Sequence, residues 1–342
     1  MVIVTILGAG VTGLSIASQL PSTYQINILG QHLPGDPFDN DYTSQWAGAC
    51  WVGVPMSSPR DQRLQLESFA VLWRLAEIHP ESGLRRSKMT EIFEYGARED
   101  IWYSSKIPGF RWMEVHELPI TARFGMEYQT VCISPSVFLS WMRKRLEARG
   151  VQFHYSNVRS LAELKNFGDD VLINATGART KHLKDVDEPN LVPYRLQSLV
   201  VKKDYDECYI YRGNRGYYFN MFGRPDGTTY IGGIKTLGVN DRTVYDEDRK
   251  KILTRGHEKL PSILPSPNPG DYEILYDIAN TYEFRPQEKG GVRVEKEVID
   301  GQKVVHAYGQ EAGGYCYSFG VAKEASELVA EYIFEMPPAS RI

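Results

Sequence analysis

The chain has 342 residues, of which 42% are hydrophobic and 24% are charged, and this composition is ordinary for a globular protein. Lysine and arginine total 39, aspartate and glutamate total 43, and the formal net charge is −4. This balance gives no reason to expect nucleic acid as a partner, because nucleic-acid binding needs a basic surface. We also expect no membrane-spanning helix, since no run of about 18 apolar residues occurs.

The cysteines give no sign of a metal site or of a dense disulfide framework. They lie far apart in the sequence, at Cys50, Cys132, Cys208 and Cys316. Because no pair has the CxxC spacing of a metal or redox motif, we expect no metal ligands and a reducing compartment.

The N-terminal residues have the pattern of a nucleotide-binding unit. Val2–Leu7 predicts a buried parallel strand, residues 14–20 have helical composition, and between them lies Gly8-Ala9-Gly10-Val11-Thr12-Gly13. In a GxGxxG turn, Gly8 permits the tight turn, Gly10 lets the backbone approach a pyrophosphate, and Gly13 allows the helix to pack on the strand. The free amides at the start of the helix then favour phosphate.

The second strand departs from the usual dinucleotide pattern. An acidic residue about 20 positions after the glycine motif normally binds a ribose hydroxyl. Here the predicted strand Gln25–Gly30 is followed by Gln31, and the next carboxylate is Asp36. Gln31 can donate or accept a hydrogen bond to a hydroxyl, but the departure weakens an NAD-specific interpretation and leaves the ribose contact open.

Further along the chain, α/β segments alternate with a stretch of antiparallel strands. Periodicity predicts helices over 61–79, 135–150, 246–259 and 318–334, and strands over 151–155, 170–177, 196–202, 209–212, 217–222, 228–234 and 304–308. Because the α/β character occupies the start, middle and end, we expect two domains that are interleaved in sequence.

Five segments, in this order, resemble the D-amino-acid oxidase family of flavoproteins. They are GAGVTGLSIA from Gly8, YTSQWAGACW from Tyr42, DVLINATGA from Asp170, FRPQEKGGVRVE from Phe284 and VVHAYGQEAGGYCYSFGVAKEA from Val304. The resemblance implies an α/β fold, with a doubly wound, Rossmann-like FAD-binding domain and an interleaved substrate domain whose mixed β-sheet is largely antiparallel. The implied bounds are 1–60, 135–194 and 285–342 for the first domain and 61–134 and 195–284 for the second.

The resemblance also implies the activity. The family oxidises a D-amino acid by hydride transfer from Cα to flavin N5, and O2 then reoxidises the flavin and yields hydrogen peroxide. The imino acid hydrolyses to a 2-oxo acid and ammonia. No side-chain acid or base is expected, because the cofactor supplies the chemistry and the protein positions Cα against it.

Three residues are implied as substrate contacts. Arg285 matches the arginine that holds the substrate carboxylate, for which a guanidinium is suited because it binds a carboxylate bidentately. Tyr218 adds a hydrogen bond to that carboxylate, although Tyr217 or Asn220 could be the true equivalent, or these aromatics could serve packing alone. The carbonyl of Ala312 accepts a hydrogen bond from the substrate amine.

The resemblance further implies a set of cofactor contacts. Beyond the glycine motif and Gln31 these are Thr43, Ser44, Gly48, Ala49, Val158, Gly177, Ala178, Gly313, Gly314, Tyr315 and Cys316. Thr43 and Ser44 are expected near phosphate, and Val158 near adenine. Cys50 and Cys316 stand where relatives often carry Asn or Gln, so they either line the flavin site or serve as small packing residues.

The substrate side chain is the open question. Lys235 stands where relatives that prefer D-aspartate carry an arginine, and Arg212, less surely Arg215, matches another basic position. Two cations facing the side chain would favour D-aspartate or D-glutamate, because an apolar substrate would leave buried charge unpaired. The alternatives are a broad neutral D-amino-acid oxidase with solvated bases at these positions, a glycine- or sarcosine-type amine oxidase, and a catalytically silent dinucleotide-binding protein.

The last three residues are Ser340-Arg341-Ile342, and they resemble the peroxisomal tripeptide S-K-L. We therefore predict that 337–342 is a targeting tail read by the peroxisomal import receptor and that the protein resides in the peroxisomal matrix. The resemblance also leaves open a homodimer, for which the sequence identifies no interface.

Overall fold

The structure is a computed structural model that describes residues 1–334, without the side chain of Asn166. These residues form fourteen strands: β1 (Ile3–Leu7), β2 (Gln25–Gly30), β3 (Leu84–Phe93), β4 (Arg111–Trp112), β5 (Phe124–Ile133), β6 (Gln152–Tyr155), β7 (Val171–Asn174), β8 (Val192–Val201), β9 (Cys208–Arg212), β10 (Tyr218–Gly223), β11 (Thr229–Leu237), β12 (Ile274–Phe284), β13 (Arg293–Ile299) and β14 (Gln302–Tyr308). The α-helices are α1 (Val11–Gln19), α2 (Thr43–Trp46), α3 (Pro59–Ile78), α4 (Pro135–Glu147), α5 (Asp246–Lys259) and α6 (Gly314–Ile333).

The first sheet has six strands in the order β13-β14-β7-β1-β2-β6. Neighbouring strands in this sheet are parallel, except that β13 and β14 are antiparallel to each other. Val4 of β1 pairs with Ile26 of β2 on one side and with Val171 of β7 on the other. Val4 and Ile6 are fully buried, as expected for a parallel strand that is covered on both faces. Helices α1 and α6 pack against each other beside this sheet.

The second sheet has eight strands in the order β12-β8-β11-β10-β9-β3-β5-β4. Neighbouring strands in this sheet are antiparallel, except that β9 and β3 are parallel to each other. The two sheets together confirm the predicted fold class: a doubly wound α/β unit interleaved with a mixed, largely antiparallel sheet. The domain boundaries given above stay a prediction.

Local sequence explains the helix starts. Pro59 and Pro135 occupy the first turns of α3 and α4, where the missing N–H costs nothing, and the Ser58 hydroxyl accepts a hydrogen bond from the Asp61 amide at 3.2 Å. Helix α6 begins at Gly314, four residues before the predicted start at Ser318. The aromatic and glycine content of these four residues concealed their helical conformation.

Five strands were not predicted, namely β3, β4, β5, β12 and β13. Strand β3 shows the reason, since Arg85, Arg86 and Lys88 read as a solvated segment, and its one acidic residue, Glu91, is fully buried. Strand propensity measures how well a residue fits a half-buried sheet. A strand whose charged residues are paired with residues remote in sequence is therefore not predicted from its local pattern. None of the helices in residues 1–334 is long and apolar enough to span a bilayer.

Candidate functional site

A cavity opens at the carboxyl ends of β1, β2 and β7, where ligands bind in open α/β sheets. Twelve of the predicted cofactor residues line it: Gly8, Ala9, Gly10, Val11, Thr12, Gln31, Thr43, Ser44, Val158, Gly177, Ala178 and Gly314. They come from sequence segments more than 300 residues apart, so the fold brings together what the sequence predicted from separate motifs.

The turn between β1 and α1 is a close-packed arrangement that we call the glycine cradle, Gly8 to Gly13. Gly8 has φ +118°, and a Cβ there would lie 2.3 Å from the carbonyl oxygen of Ala175. A Cβ on Gly13 would lie 1.9 Å from the carbonyl oxygen of Gly8. Any larger side chain would separate α1 from β1, so glycine at these positions lets the start of α1 lie at the edge of the cavity.

The Ser44 hydroxyl connects α2 to the glycine cradle. It accepts a hydrogen bond from the Val11 amide at 3.0 Å, and a Cβ on Gly10 would lie 2.8 Å from this oxygen. The hydroxyl therefore occupies the position at the helix start where a phosphate oxygen would accept the same bond. The glycine contacts and the helix start fit a dinucleotide such as FAD.

Six predicted cofactor residues are not among those that line the cavity: Gly13, Gly48, Ala49, Gly313, Tyr315 and Cys316. A Cβ on Gly48 would lie 2.5 Å from the ring of Tyr230, and the Tyr315 hydroxyl donates to the Ser44 carbonyl at 2.8 Å. In this structure these residues pack the wall rather than line the cavity.

The cysteines hold the loop that follows α2. The Cys316 thiol lies 3.3 Å from the Val52 amide, which donates to it, and 3.4 Å from the Cys50 carbonyl, which accepts from it. The Cys50 sulfur lies 3.7 Å from that of Cys208, and all three are buried. Of the two roles considered for Cys50 and Cys316, packing agrees with these contacts.

A second group of predicted residues meets on one face of the eight-stranded sheet. Arg212 and Tyr218 are directly opposite in the register of β9 and β10. A bulge in β11 between Gly232 and Ile234 precedes Lys235, whose Nζ lies 4.3 Å from the centre of the Tyr218 ring. A bulge changes the direction of the side chains that follow it. Lys235 follows this bulge, and its side chain lies over the Tyr218 ring.

Arg212 is already paired inside the protein. Its Nε and Nη2 lie 3.1 Å and 2.9 Å from the Oε2 atom of Glu91. Tyr103 and Tyr128 donate their hydroxyls to the other oxygen of this carboxylate, at 3.1 Å and 2.7 Å. Since Glu91 is fully buried, Arg212 serves first as the counter-ion of that carboxylate.

Lys235 has no such partner. No carboxylate of the described residues lies within 4.0 Å of its ammonium group, which lies over the Tyr218 ring. Burial, and then the charge of Arg212, lower the pKa of Lys235 to about 8, although Glu311 acts in the opposite direction. A partly desolvated cation of this kind is stabilised when a ligand carboxylate binds beside it.

The three residues considered for the tyrosine contact, Tyr217, Tyr218 and Asn220, lie on different faces of the sheet. The Tyr217 hydroxyl donates to Glu258 of α5, on the side of the sheet away from Lys235. The Tyr218 hydroxyl accepts from Asn220 at 3.2 Å, and the Oδ1 atom of Asn220 is buried without a partner. Tyr218 and Asn220 therefore share the face that carries the cations, as alternate residues of a strand do.

Arg285 follows the end of β12 and lies against small residues and one carboxylate. Its Nε is 3.3 Å from the Oε2 atom of Glu188, and a Cβ on Gly290 would lie 3.2 Å from its Nη1. Glu188 also accepts from the Tyr308 hydroxyl at 3.0 Å. In residues 1–334 no hydrogen bond, ion pair or ring contact joins Arg285 to Tyr218, so a ligand carboxylate would have to compete with Glu188 for it.

Two residues that line the cavity were not predicted from the sequence. Tyr282 is 4% exposed and lines the cavity, and its hydroxyl has no hydrogen-bond partner. Glu311 lines the same cavity beside Ala312, and both residues are exposed. Glu311 lies within the family segment that begins at Val304, and Tyr282 lies two residues before the segment that begins at Phe284, so the local signal for each was its proximity to a predicted site residue.

Comparison with known proteins agrees with this geometry. The chain belongs to the DAO family of FAD dependent oxidoreductases, whose family model matches residues 4–328. Its cofactor is therefore FAD, which the glycine cradle fits.

Two characterised relatives match nearly the whole chain. A D-aspartate oxidase of Talaromyces thermophilus is 30% identical over 95% of this chain and 94% of its own length. A D-amino-acid oxidase of Schizosaccharomyces pombe is 29% identical over 95% of each chain. Among solved structures, glycine oxidase from Geobacillus kaustophilus superposes with a TM-score of 0.73, covering 99% of this chain and 96% of its own, at 17% identity. The last similarity shows the fold alone.

Proposed function

We propose that this protein is an FAD-dependent oxidase that deaminates D-amino acids to 2-oxo acids, ammonia and hydrogen peroxide, and that it prefers D-aspartate or D-glutamate. The family and the two relatives support the reaction class. The observation that carries the acidic preference is Lys235, a half-buried ammonium group without a carboxylate partner in the described residues.

The charges of the pocket explain this preference. Because Glu91 neutralises Arg212, Lys235 is the cation on this face that remains free to pair with a substrate carboxylate. A substrate with an apolar side chain would bury Lys235 against carbon without compensation, and an unpaired buried charge is costly. The positive charge of Arg212 also attracts the side-chain carboxylate of the substrate, while Arg212 keeps its contact with Glu91.

The other residues orient the substrate. Arg285 holds the α-carboxylate by exchanging its contact with Glu188 for the ligand, and the Ala312 carbonyl accepts from the amine. When bound, FAD supplies the electron acceptor for the hydride lost from Cα. Helix α6 starts at Gly314 on the cavity wall, and its N-terminal partial positive charge favours negative charge that develops there.

Substrate kinetics test the preference. We expect kcat/KM to be higher for D-aspartate or D-glutamate than for D-alanine and D-methionine, when peroxide release is measured. Lys235→Met should lower kcat/KM for the acidic substrates by roughly 30- to 4,000-fold, because the loss of one partner of a desolvated charge pair costs about 2–5 kcal/mol, and should raise it for D-methionine. Lys250→Met, on the exposed face of α5, is the matched control and should change neither.

A wild-type enzyme that favours D-alanine or D-methionine would refute the acidic preference and leave a broad neutral oxidase. Activity on glycine or an N-methyl amino acid, without peroxide from any D-amino acid, would refute the reaction class itself.

We further propose that the protein is imported into peroxisomes through Ser340-Arg341-Ile342, which lies outside the described residues. Import would confine the peroxide to that compartment. A fluorescent fusion at the N-terminus should co-localise with a peroxisomal marker, and removal of the three residues should release it to the cytosol. The homodimer stays a prediction, and light scattering of the purified holoenzyme checks it.

A further inference from the structure

Two buried polar groups in the wall of the cofactor cavity have no hydrogen-bond partner among the described residues. Tyr282 is 4% exposed and Gln310 is 8% exposed, and both residues line the cavity together with the glycine cradle. The hydroxyl of Tyr282 and the side-chain amide nitrogen of Gln310 are shielded from water and bind no described residue. Because a buried polar group without a hydrogen bond is unfavourable, two such groups in one wall indicate a polar ligand that satisfies both.

The eight-stranded sheet fixes the position of the Tyr282 ring. Tyr282 of β12 lies directly opposite Tyr194 of β8, and the two rings stack at a centroid distance of 5.6 Å with their planes 16° apart. The Tyr194 ring also packs on Phe284, at a centroid distance of 6.0 Å. Because the ring is held by this close packing, its hydroxyl is not free to turn towards another protein group.

The turn before α6 brings Gln310 close to β12. The Gln310 carbonyl accepts a hydrogen bond from the Gly313 amide at 2.9 Å, and the segment Glu311–Gly313 packs against β12. Helix α6 then begins at Gly314, which also lines the cavity. The hydroxyl from β12, the amide from this turn and the partially positive start of α6 therefore lie in one region of the cavity wall.

This region is the end of the cavity that lies towards the substrate face of the sheet. Asn280, two residues before Tyr282, is opposite Leu196, which in turn is opposite Lys235, so Tyr282 shares the face that carries Lys235. Val158, expected near adenine, follows β6 at the far edge of the six-stranded sheet, and the glycine cradle follows β1, two strands further in. A dinucleotide with adenine at Val158 and pyrophosphate at the cradle brings its flavin ring to Tyr282.

Both unpartnered groups are hydrogen-bond donors. Burial is the main cause that raises the pKa of Tyr282 above its ordinary value, so its hydroxyl stays protonated. The amide nitrogen of Gln310 can only donate. A flavin ring offers carbonyl oxygens as acceptors, and negative charge develops at N1 and the C2 carbonyl on reduction. Since a hydrogen bond to a charged acceptor is stronger than one to a neutral acceptor, two donors here favour the reduced ring.

We propose that the Tyr282 hydroxyl and the Gln310 amide donate hydrogen bonds to the polar edge of the flavin ring and bind reduced FAD more tightly than oxidised FAD. The two residues thereby raise the midpoint potential of the bound flavin, which favours hydride transfer from the substrate. The proposal rests on the FAD-dependent oxidase of the proposed function, but not on the identity of the substrate side chain.

The test is made on Tyr282→Phe holoenzyme, in which the ring and its stacking on Tyr194 are kept. The Kd of FAD is measured by flavin fluorescence on dilution, and the midpoint potential is measured against a reference dye. One lost hydrogen bond should weaken oxidised FAD by roughly 2- to 10-fold and reduced FAD by roughly 10- to 150-fold. The midpoint potential should fall by about 30 mV for each tenfold difference between these two losses.

Variants of Gln310 test the second donor independently. Gln310→Leu removes the amide and should lower the midpoint potential by a similar amount. Gln310→Glu puts a carboxylate in its place, which repels the negative charge that develops on reduction, so the potential should fall further than in Gln310→Leu. Tyr95→Phe and Gln152→Leu, at exposed positions of the chain, are the matched controls and should leave the FAD Kd and the potential unchanged.

The proposal is overturned if Tyr282→Phe and Gln310→Leu both keep the wild-type midpoint potential and an FAD Kd within about twofold of wild type. It is also overturned if Tyr282→Phe keeps both values but weakens the binding of succinate, which is aspartate without its amine, because the hydroxyl then contacts the substrate. Neither FAD binding nor the potential needs an amino acid. Failure of the proposed reaction or of the acidic preference would therefore show in substrate turnover and leave these two measurements unaffected.

Discussion

The glycine cradle and the group of Glu91, Arg212, Tyr218 and Lys235, which we call the charged cluster, are built from different parts of the chain. The geometry of the cradle depends on backbone and on the absence of side chains. The charged cluster is made of side chains from β3, β9, β10 and β11. The cradle is specified within a dozen consecutive residues and the charged cluster across about 145.

Because of this difference, the two sites tolerate amino-acid substitution differently. In the cradle a single methyl group meets backbone that cannot move, so substitution is excluded by sterics. In the charged cluster the carboxylate of Glu91 balances the charge of Arg212, so a substitution of either residue can be compensated by a substitution of the other. Four predictions test this comparison.

The largest effect is expected at the cradle. Gly13→Val places carbon atoms against the Gly8 carbonyl, where even a Cβ would lie at 1.9 Å, and should destabilise the protein by at least about 3 kcal/mol. The variant should purify without the yellow flavin absorbance, if it purifies at all. Gly270→Ala is the matched control, because a Cβ there meets nothing within 4 Å. A yellow Gly13→Val holoenzyme of normal stability would refute the steric argument.

Arg285→Ala is expected to abolish most activity but to keep the flavin, since Arg285 does not line the cradle. Loss of one partner of a desolvated ion pair costs about 2–5 kcal/mol, or roughly 30- to 4,000-fold in kcat/KM. The double variant with Glu188→Gln controls for the carboxylate left without its partner. A colourless Arg285→Ala protein would assign this residue a structural role instead.

Arg212→Met should affect stability more than catalysis. It leaves the fully buried Glu91 without its cation, which costs about 3–5 kcal/mol in the free energy of unfolding, measured by urea denaturation of the holoenzyme. Adding Glu91→Gln should recover most of that loss, because the buried charge is then removed as well. If the single variant keeps normal stability and only discriminates less against D-alanine, Arg212 is a substrate contact before it is a counter-ion.

The smallest effect is a pH dependence of succinate binding. Lys235 is a cation below its pKa of about 8 and neutral above it, so the Kd of succinate should rise with pH through that value. The slope should approach tenfold per pH unit and disappear in Lys235→Met. Propionate, which has no second carboxylate, should show no such dependence, and a succinate Kd that is flat from pH 7 to 9 would contradict the role of Lys235.

Much of the fold could be predicted because its signals are local. The strand, glycine turn and helix at residues 2–20 follow from composition and spacing, and the helix over residues 246–259 was placed at its observed bounds. The strands that escaped, such as β3 with its buried Glu91, carry polar residues whose partners lie 12 to 121 positions away. A local pattern holds no information about such partners.

The sequence by itself determined the family, the cofactor and the positions of the cradle, because a phosphate-binding turn is a matter of backbone conformation within one motif. Tertiary structure decided which charges meet. It paired Arg212 with Glu91, left Lys235 over the Tyr218 ring, and set Tyr282 into the cavity wall with its hydroxyl unpartnered. The physical reason is that electrostatic balance depends on distance and burial, which arise only when strands remote in sequence are brought into register.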